Sequence, residues 1–294
     1  MTDGAAQHDI DVGDGLTIHV ETRGRGSPLV LLHGFTGSSR TWHALGAALG
    51  DRFTTIAVDL PGHGRSGAPA DPARYAIARF GDDLARVLDA LRVDRAAILG
   101  YSFGGRTALR FALAHPERVT HLVLEGASPG IDDTAERLER HAADDALADR
   151  IEREGIARFV EEWERLPLWA SQERLTPAAR AALRDERLRN RPHGLANSLR
   201  GAGAAVEASV FPALPGLRVP TLLLAGALDT KYVAEGERMA GAIPDATLCI
   251  IPDAGHAVHV EQPAAFAAAV ASFLAGHVTS ARDTLRHAPG APAR

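Results

Sequence analysis

One segment constrains the fold of this chain more than any other: Leu99-Gly100-Tyr101-Ser102-Phe103-Gly104-Gly105-Arg106. It reads Gly-x-Ser-x-Gly. The apolar residues 96–99 before it have strand character, and residues 107–114 after it carry a helical pattern closed by His115-Pro116. A serine held on a sharp turn between a buried strand and a helix is a nucleophile elbow. Glycines two residues either side of the serine remove Cβ atoms that so tight a turn has no room for. The helix that follows brings the positive end of its dipole to the place where negative charge would develop. Taken alone, the motif also fits an ordinary strand-to-helix turn, so its meaning depends on the rest of the chain.

That rest alternates. Residues 16–20 read as a strand, 29–32 as a continuous apolar strand, 40–49 as a helix and 54–58 as a second buried strand. Residues 59–67 form a Gly/Pro-rich loop, 77–91 a helix and 119–125 a further strand. Uninterrupted apolar runs suit strands covered on both faces. Their alternation with helices predicts an α/β fold with a mostly parallel central sheet flanked by helices. The rhythm breaks at residue 131. From there to 205 the chain is rich in Arg, Glu, Ala and Leu and reads as helices alone. We read a first core part at 1–130, a helical lid insertion at 131–205, a second core part at 206–279 and a disordered tail at 280–294. The second core part begins with the strand at 221–225 and continues through a helix at 233–243, a buried strand around Cys249 and a helix at 263–274.

Composition excludes several classes of protein. The basic and acidic residues number 32 and 37, a net charge of -5, which gives no bias toward nucleic acid or an anionic membrane. No apolar run is long enough to span a bilayer. The N-terminal residues have no secretion-signal pattern, so a cytoplasmic location is expected. A single cysteine, Cys249, excludes an intrachain disulfide and reads as a small core side chain. There is no His-Glu-x-x-His, cysteine pair or Gly-x-Gly-x-x-Gly after a strand. No metal or cofactor is expected. The chain is expected to act as a monomer or small homo-oligomer on a small molecule.

A serine hydroxyl becomes reactive when a histidine takes its proton and a carboxylate fixes that histidine's tautomer. In this kind of fold the chain order is serine, acid, histidine. Asp229 directly follows the strand at 221–225, and His256 follows the last strand. The carboxyl ends of the strands are where such sheets place reactive groups. Asp245, Asp253 and His259 compete less well by position, and His33 and His63 read as loop-shaping. Phe103, after the serine, and Phe35, after the strand at 29–32, are the expected backbone donors to an oxyanion. Arg106 lies four residues after Ser102 and shares its helix face. It reads either as the floor of a pocket or as half of a buried ion pair.

These residues as a set resemble a known family. The segment Gly100-Tyr101-Ser102-Phe103-Gly104-Gly105-Arg106, residues 124–130 with 135–140, residues 163–171, residues 194–201 and Asp229-Thr230-Lys231-Tyr232 resemble the 2-succinyl-6-hydroxy-2,4-cyclohexadiene-1-carboxylate synthases of menaquinone biosynthesis. These are lyases of the α/β-hydrolase fold. The resemblance implies elimination of pyruvate from an enolpyruvyl cyclohexene tricarboxylate, with the triad serine taking a proton α to a ketone. It further implies that Arg106 and Arg140 bind substrate carboxylates. A third arginine falls at Arg187 or Arg184, and the spacing to Gly194 favours Arg187. Trp163 and Tyr101 match family pocket residues. Trp169 reads as lid packing. Phe103 stands where Met or Leu is usual, and residues 201–207 depart from the family's lid exit. A serine–histidine–acid set of this kind is expected to close fully only around substrate.

Overall fold

The computed structural model describes residues 5–276. The expected tail at 280–294 lies outside the described residues. Eight strands form one sheet: β1 (Ala6–Asp11), β2 (Thr17–Gly24), β3 (Ser27–Leu32), β4 (Phe53–Val58), β5 (Ala96–Tyr101), β6 (Val119–Glu125), β7 (Thr221–Gly226) and β8 (Ala246–Ile251). Their spatial order is β1-β2-β4-β3-β5-β6-β7-β8. β2 pairs antiparallel with both β1 and β4, and every other pair is parallel. The central strands are the ones that read as apolar runs. Leu29 to Leu32 of β3 and all of β5 are buried, because helices cover both faces.

The helices are α1 (His43–Leu49), α2 (Ile77–Ala90), α3 (Phe103–Ala114), α4 (Thr134–Trp163), α5 (Pro177–Leu188), α6 (Pro192–Ala202), α7 (Thr230–Ala242), α8 (Val258–Glu261) and α9 (Pro263–Leu274). One face of the sheet packs against α2, α3 and α7, through residues such as Leu84, Leu109 and Met239. The other packs against α1 and α9, through Leu45, Leu49, Phe266 and Val270. No helix among the described residues is long and apolar enough to cross a membrane.

Three local readings need correction. β1 was not expected: its sequence, Ala-Gln-His-Asp-Ile-Asp, is polar, and it exists because β2 offers it a backbone ladder, with Ile10 opposite Ile18. The strand around Cys249 is not fully buried. β8 pairs only with β7, and Ile250 is 43% exposed. The helix expected at 40–49 starts as a 3-10 turn at Ser39–Trp42 before α1 begins.

The carboxyl ends of the strands carry the features that position the site. The elbow is built as the motif requires. Ser102 has φ 51 and ψ -108. A Cβ on Gly100 would lie 2.2 Å from the Gly104 carbonyl oxygen, and one on Gly104 would lie 2.3 Å from that of Leu32. Only glycine lets β5, β3 and α3 meet so closely. Between β6 and β7 run α4, a 3-10 segment at Pro167–Arg174, α5 and α6. Asp133 and Thr176 cap α4 and α5 by accepting from the Glu136 and Ala179 amides. α4 breaks at Gly155, where φ is 82. This segment has its own small core, in which Ala148, Ile151, Phe159 and Val160 meet Leu195, Ala196 and Leu199. It is also tied to the loops of the sheet. The Asn197 side-chain amide donates to the Pro69 and Ala70 carbonyls, 3.1 Å each, and that of Asn190 to the Thr36 carbonyl at 2.7 Å.

Candidate active site

Ser102, His256 and Asp229 come together. The Ser102 Oγ lies 3.0 Å from His256 Nε2, and His256 Nδ1 lies 2.7 Å from Asp229 Oδ2. The imidazole is buried, with 3% exposure. Asp229 occupies the turn from β7 into α7 and caps that helix at the Tyr232 amide. With Nδ1–H donating to the carboxylate, Nε2 is left as the acceptor facing the serine hydroxyl. Both are hydrogen-bonding distances. His256 is fixed by ring contacts as well as by Asp229: Tyr232, Tyr101 and Trp169 lie 4.5, 5.4 and 5.7 Å away between centroids.

The competing residues are engaged elsewhere. His259 Nδ1 sits 2.9 Å from both oxygens of the buried Glu125, whose Oε1 also accepts from the His259 amide. Asp253 points outward, its side chain 78% exposed. His33 and His63 brace the loops beside the elbow. His33 Nδ1–H donates to the Gly34 carbonyl at 2.8 Å, and its Nε2 accepts from the Leu60 amide at 3.0 Å. His63 Nδ1–H donates to the Pro61 carbonyl at 3.0 Å, and its ring packs on Phe35 and Phe103.

Burial pushes the His33 and His63 pKa values down from 6.5, to about 4 and about 3. Both rings are neutral in the folded protein, whereas in the unfolded chain they take up protons near pH 6.5. Between those limits the unfolded state binds more protons, so stability falls as pH drops from about 6.5 toward 3–4. Each ring adds up to about 1.4 kcal/mol per pH unit to that slope. Urea unfolding at pH 7 and pH 5 measures it. A His63→Phe variant is expected to lose one ring's share, and an unchanged slope would contradict the assignment.

Ser102 opens into a cavity of about 240 Å³ between the strand ends and the α4–α6 segment. Tyr101, Phe35, Phe103, Arg106, Arg140 and Trp163 all line it. The Phe35 and Phe103 amides donate to no acceptor among the described residues, so both are free to receive an anionic oxygen. Trp163 packs against Phe35 at 5.5 Å and Phe159 at 5.4 Å, and its buried Nε1 has no protein partner. Burial, then the Glu125 carboxylate, raises the Tyr101 phenol well above its usual range, so its hydroxyl stays neutral.

The arginines divide. Arg106 is not half of an ion pair: its guanidinium donates to the Ala202 carbonyl at 3.0 Å and the Gly203 carbonyl at 3.4 Å, and it has no carboxylate partner among the described residues. Burial, with Arg140 nearby, lowers its pKa to about 10, leaving it charged at neutral pH. Arg140 also faces the cavity, with Nε 2.8 Å from Asp144 Oδ1. Arg187 does not line this cavity. Its fork is taken by Glu164 and Gln172, 3.1 Å each, and its guanidinium lies over the Trp169 ring at 5.3 Å. It belongs to an adjacent cavity, with Arg180 and Arg184. Arg184 also pairs with Glu164. Trp169 is the wall common to the two cavities.

Sequence reasoning did not name further wall residues, among them Asp144, Trp169, Lys231 and Tyr232. Trp169, read as packing, reaches both the cavity and His256. Tyr232 and Lys231 line the cavity from the first turn of α7. The available signal for these two is the segment Asp229-Thr230-Lys231-Tyr232, which the resemblance includes.

A family description for the alpha/beta hydrolase fold matches residues 27–263. A Bacillus subtilis (strain 168) protein that carries the name 2-succinyl-6-hydroxy-2,4-cyclohexadiene-1-carboxylate synthase provisionally is 42% identical, covering 90% of this chain and 97% of that protein. The synthase of that name from Serratia proteamaculans (strain 568) is 34% identical over 84% of this chain and 92% of its own length. Among solved structures, MenH from S. aureus superposes with a TM-score of 0.85 at 35% identity, covering 88% of this chain and 98% of that one. With this fold and this degree of likeness along nearly its whole length, the chain belongs to the α/β-hydrolase fold family and, within it, to the 2-succinyl-6-hydroxy-2,4-cyclohexadiene-1-carboxylate synthases.

Proposed function

We propose that this protein is a lyase that eliminates pyruvate from 2-succinyl-5-enolpyruvyl-6-hydroxy-3-cyclohexene-1-carboxylate. The product is 2-succinyl-6-hydroxy-2,4-cyclohexadiene-1-carboxylate. The observation that carries the reading is a desolvated arginine without a carboxylate partner, one helical turn from a serine already hydrogen-bonded to a histidine. Hydrolysis of a neutral ester has no use for such a cation, whereas a tricarboxylate substrate supplies the missing anion.

Ser102 is the base in this mechanism. His256 Nε2 takes the hydroxyl proton, and Asp229 stabilises the imidazolium at Nδ1. The serine oxygen removes the proton from the ring carbon α to the succinyl ketone. The electron pair enters the ketone to give an enolate, whose oxygen the Phe35 and Phe103 amides receive. As the enolate collapses, the ring double bond shifts, the C–O bond to the enolpyruvyl group breaks, and that group leaves as the enolate of pyruvate; its methylene carbon takes up one proton while His256 gives up the one it holds, which restores the triad. An alkoxide at pH 7 needs a dry, preorganised site, and residues 131–205 supply it as a lid over the strand ends. Arg106 and Arg140 grip carboxylates, and Trp163 and Tyr101 shape the wall. The reaction needs no metal or cofactor. A tricarboxylate does not cross a bilayer unaided, so the enzyme works in the compartment that makes its substrate, which we take to be the cytoplasm.

The test compares pyruvate release from this substrate by the wild type and by Ser102→Ala. Equal rates would end the reading.

A further inference from the structure

The chain has 32 basic residues, of which 31 are arginine; Lys231 is its single lysine. That lysine lies at the wall of the Ser102 cavity, in the first turn of α7 and two residues past Asp229. We infer that Lys231 is a third carboxylate-binding cation of this site and holds the carboxylate of the departing three-carbon fragment. The inference rests on the elimination reading above.

The cavity's cation count is the first argument. A tricarboxylate presents three anions, while the arginines lining the cavity are two, Arg106 and Arg140, and Arg140 is already paired with Asp144, which lines the cavity as well. Arg187 is bound to Glu164 and Gln172 in the neighbouring cavity. Lys231 supplies the third positive charge. It forms no ion pair with a carboxylate among the described residues, and its Nζ lies 6.0 Å from the Tyr232 ring centroid.

The second argument is where Lys231 leads. It also lines a separate cavity of about 350 Å³ on the far side of the triad, whose wall includes Asp229, Ser171, Thr230 and Arg174. Leu168, Lys231 and His256 are common to both cavities. Neither Arg106 nor Arg140 borders this second space. A lysine carries a compact charge with three donors on a flexible four-carbon stem. From this shared wall it can reach a small carboxylate in either space. Arg174 waits there, only weakly engaged by Asp253, 3.8 Å away and exposed. The larger cyclohexadiene product stays with Arg106 and Arg140.

The experiment is product inhibition by pyruvate in wild type, Lys231→Gln and Lys231→Arg. In Lys231→Gln the pyruvate inhibition constant is expected to rise about tenfold, the effect of one charge-assisted hydrogen bond at a partly exposed site. kcat/KM falls by a similar factor, mostly through KM. Lys231→Arg restores both to within about threefold, a rescue that a merely structural role would not give. An unchanged inhibition constant in Lys231→Gln would overturn the proposal. [13C]Pyruvate line broadening on the Ser102→Ala background reads the same site without turnover. There too, binding that survives Lys231→Gln overturns it. Failure of the elimination reading shows separately, as a wild type that releases no pyruvate.

Discussion

Ser102→Ala is expected to lower kcat for pyruvate release by about a thousandfold, within the 10²–10⁴ range of a positioned general base. That loss corresponds to about 4 kcal/mol of barrier. KM is expected to move little, because the hydroxyl contributes to substrate binding far less than the arginines do. The fold is expected to survive. The strain at Ser102, φ 51, is held by the close packing of Gly100 and Gly104 and not by the hydroxyl. The residual rate reflects the amides of Phe35 and Phe103 and the bound cations, which stay in place. Steady-state kinetics with a thermal melt on the same sample checks the prediction. A melt that collapses along with the rate would mean that the loss came from misfolding.

Arg106→Gln is expected to lower kcat/KM by about 2–5 kcal/mol, the usual range for removing one partner of a buried, hydrogen-bonded charge pair. Most of the loss falls on KM. Arg106→Lys recovers only part of it, because a point charge cannot reproduce a two-pronged fork on a carboxylate. Stability is expected to hold or rise without substrate, because the half-buried guanidinium has no carboxylate partner to lose. This split separates a binding arginine from a structural one. An arginine whose duty was to hold the Ala202 and Gly203 carbonyls would lose melting temperature instead.

Much of this was legible in the sequence, for physical reasons. β3, β5 and β7 are buried on both faces, so burial alone dictates their apolar runs. β1 was not legible, because a polar edge strand takes its conformation from a partner rather than from its own pattern. The strand around Cys249 reads as buried but lies at the end of the sheet order, since residue type does not report what lies beyond β8. In the site, Asp229 and His256 could be named because reactive groups gather at strand ends in a fixed chain order. Arg187 is named by the resemblance and by its spacing to Gly194, and neither reports the Glu164 and Gln172 side chains that hold its fork beside the adjacent cavity. Lys231 stands in a segment that the resemblance includes, but a sequence does not report that an exposed side chain in a helix's first turn also borders a cavity.

The central claim is that Ser102 takes a proton rather than attacking a carbon. The most direct measurement is single-turnover pyruvate release from substrate carrying deuterium at the ring carbon α to the succinyl ketone, against the protium form. Proton abstraction by Ser102 predicts slower release from the deuterated substrate. Equal rates, with a covalent adduct accumulating on Ser102, would contradict it.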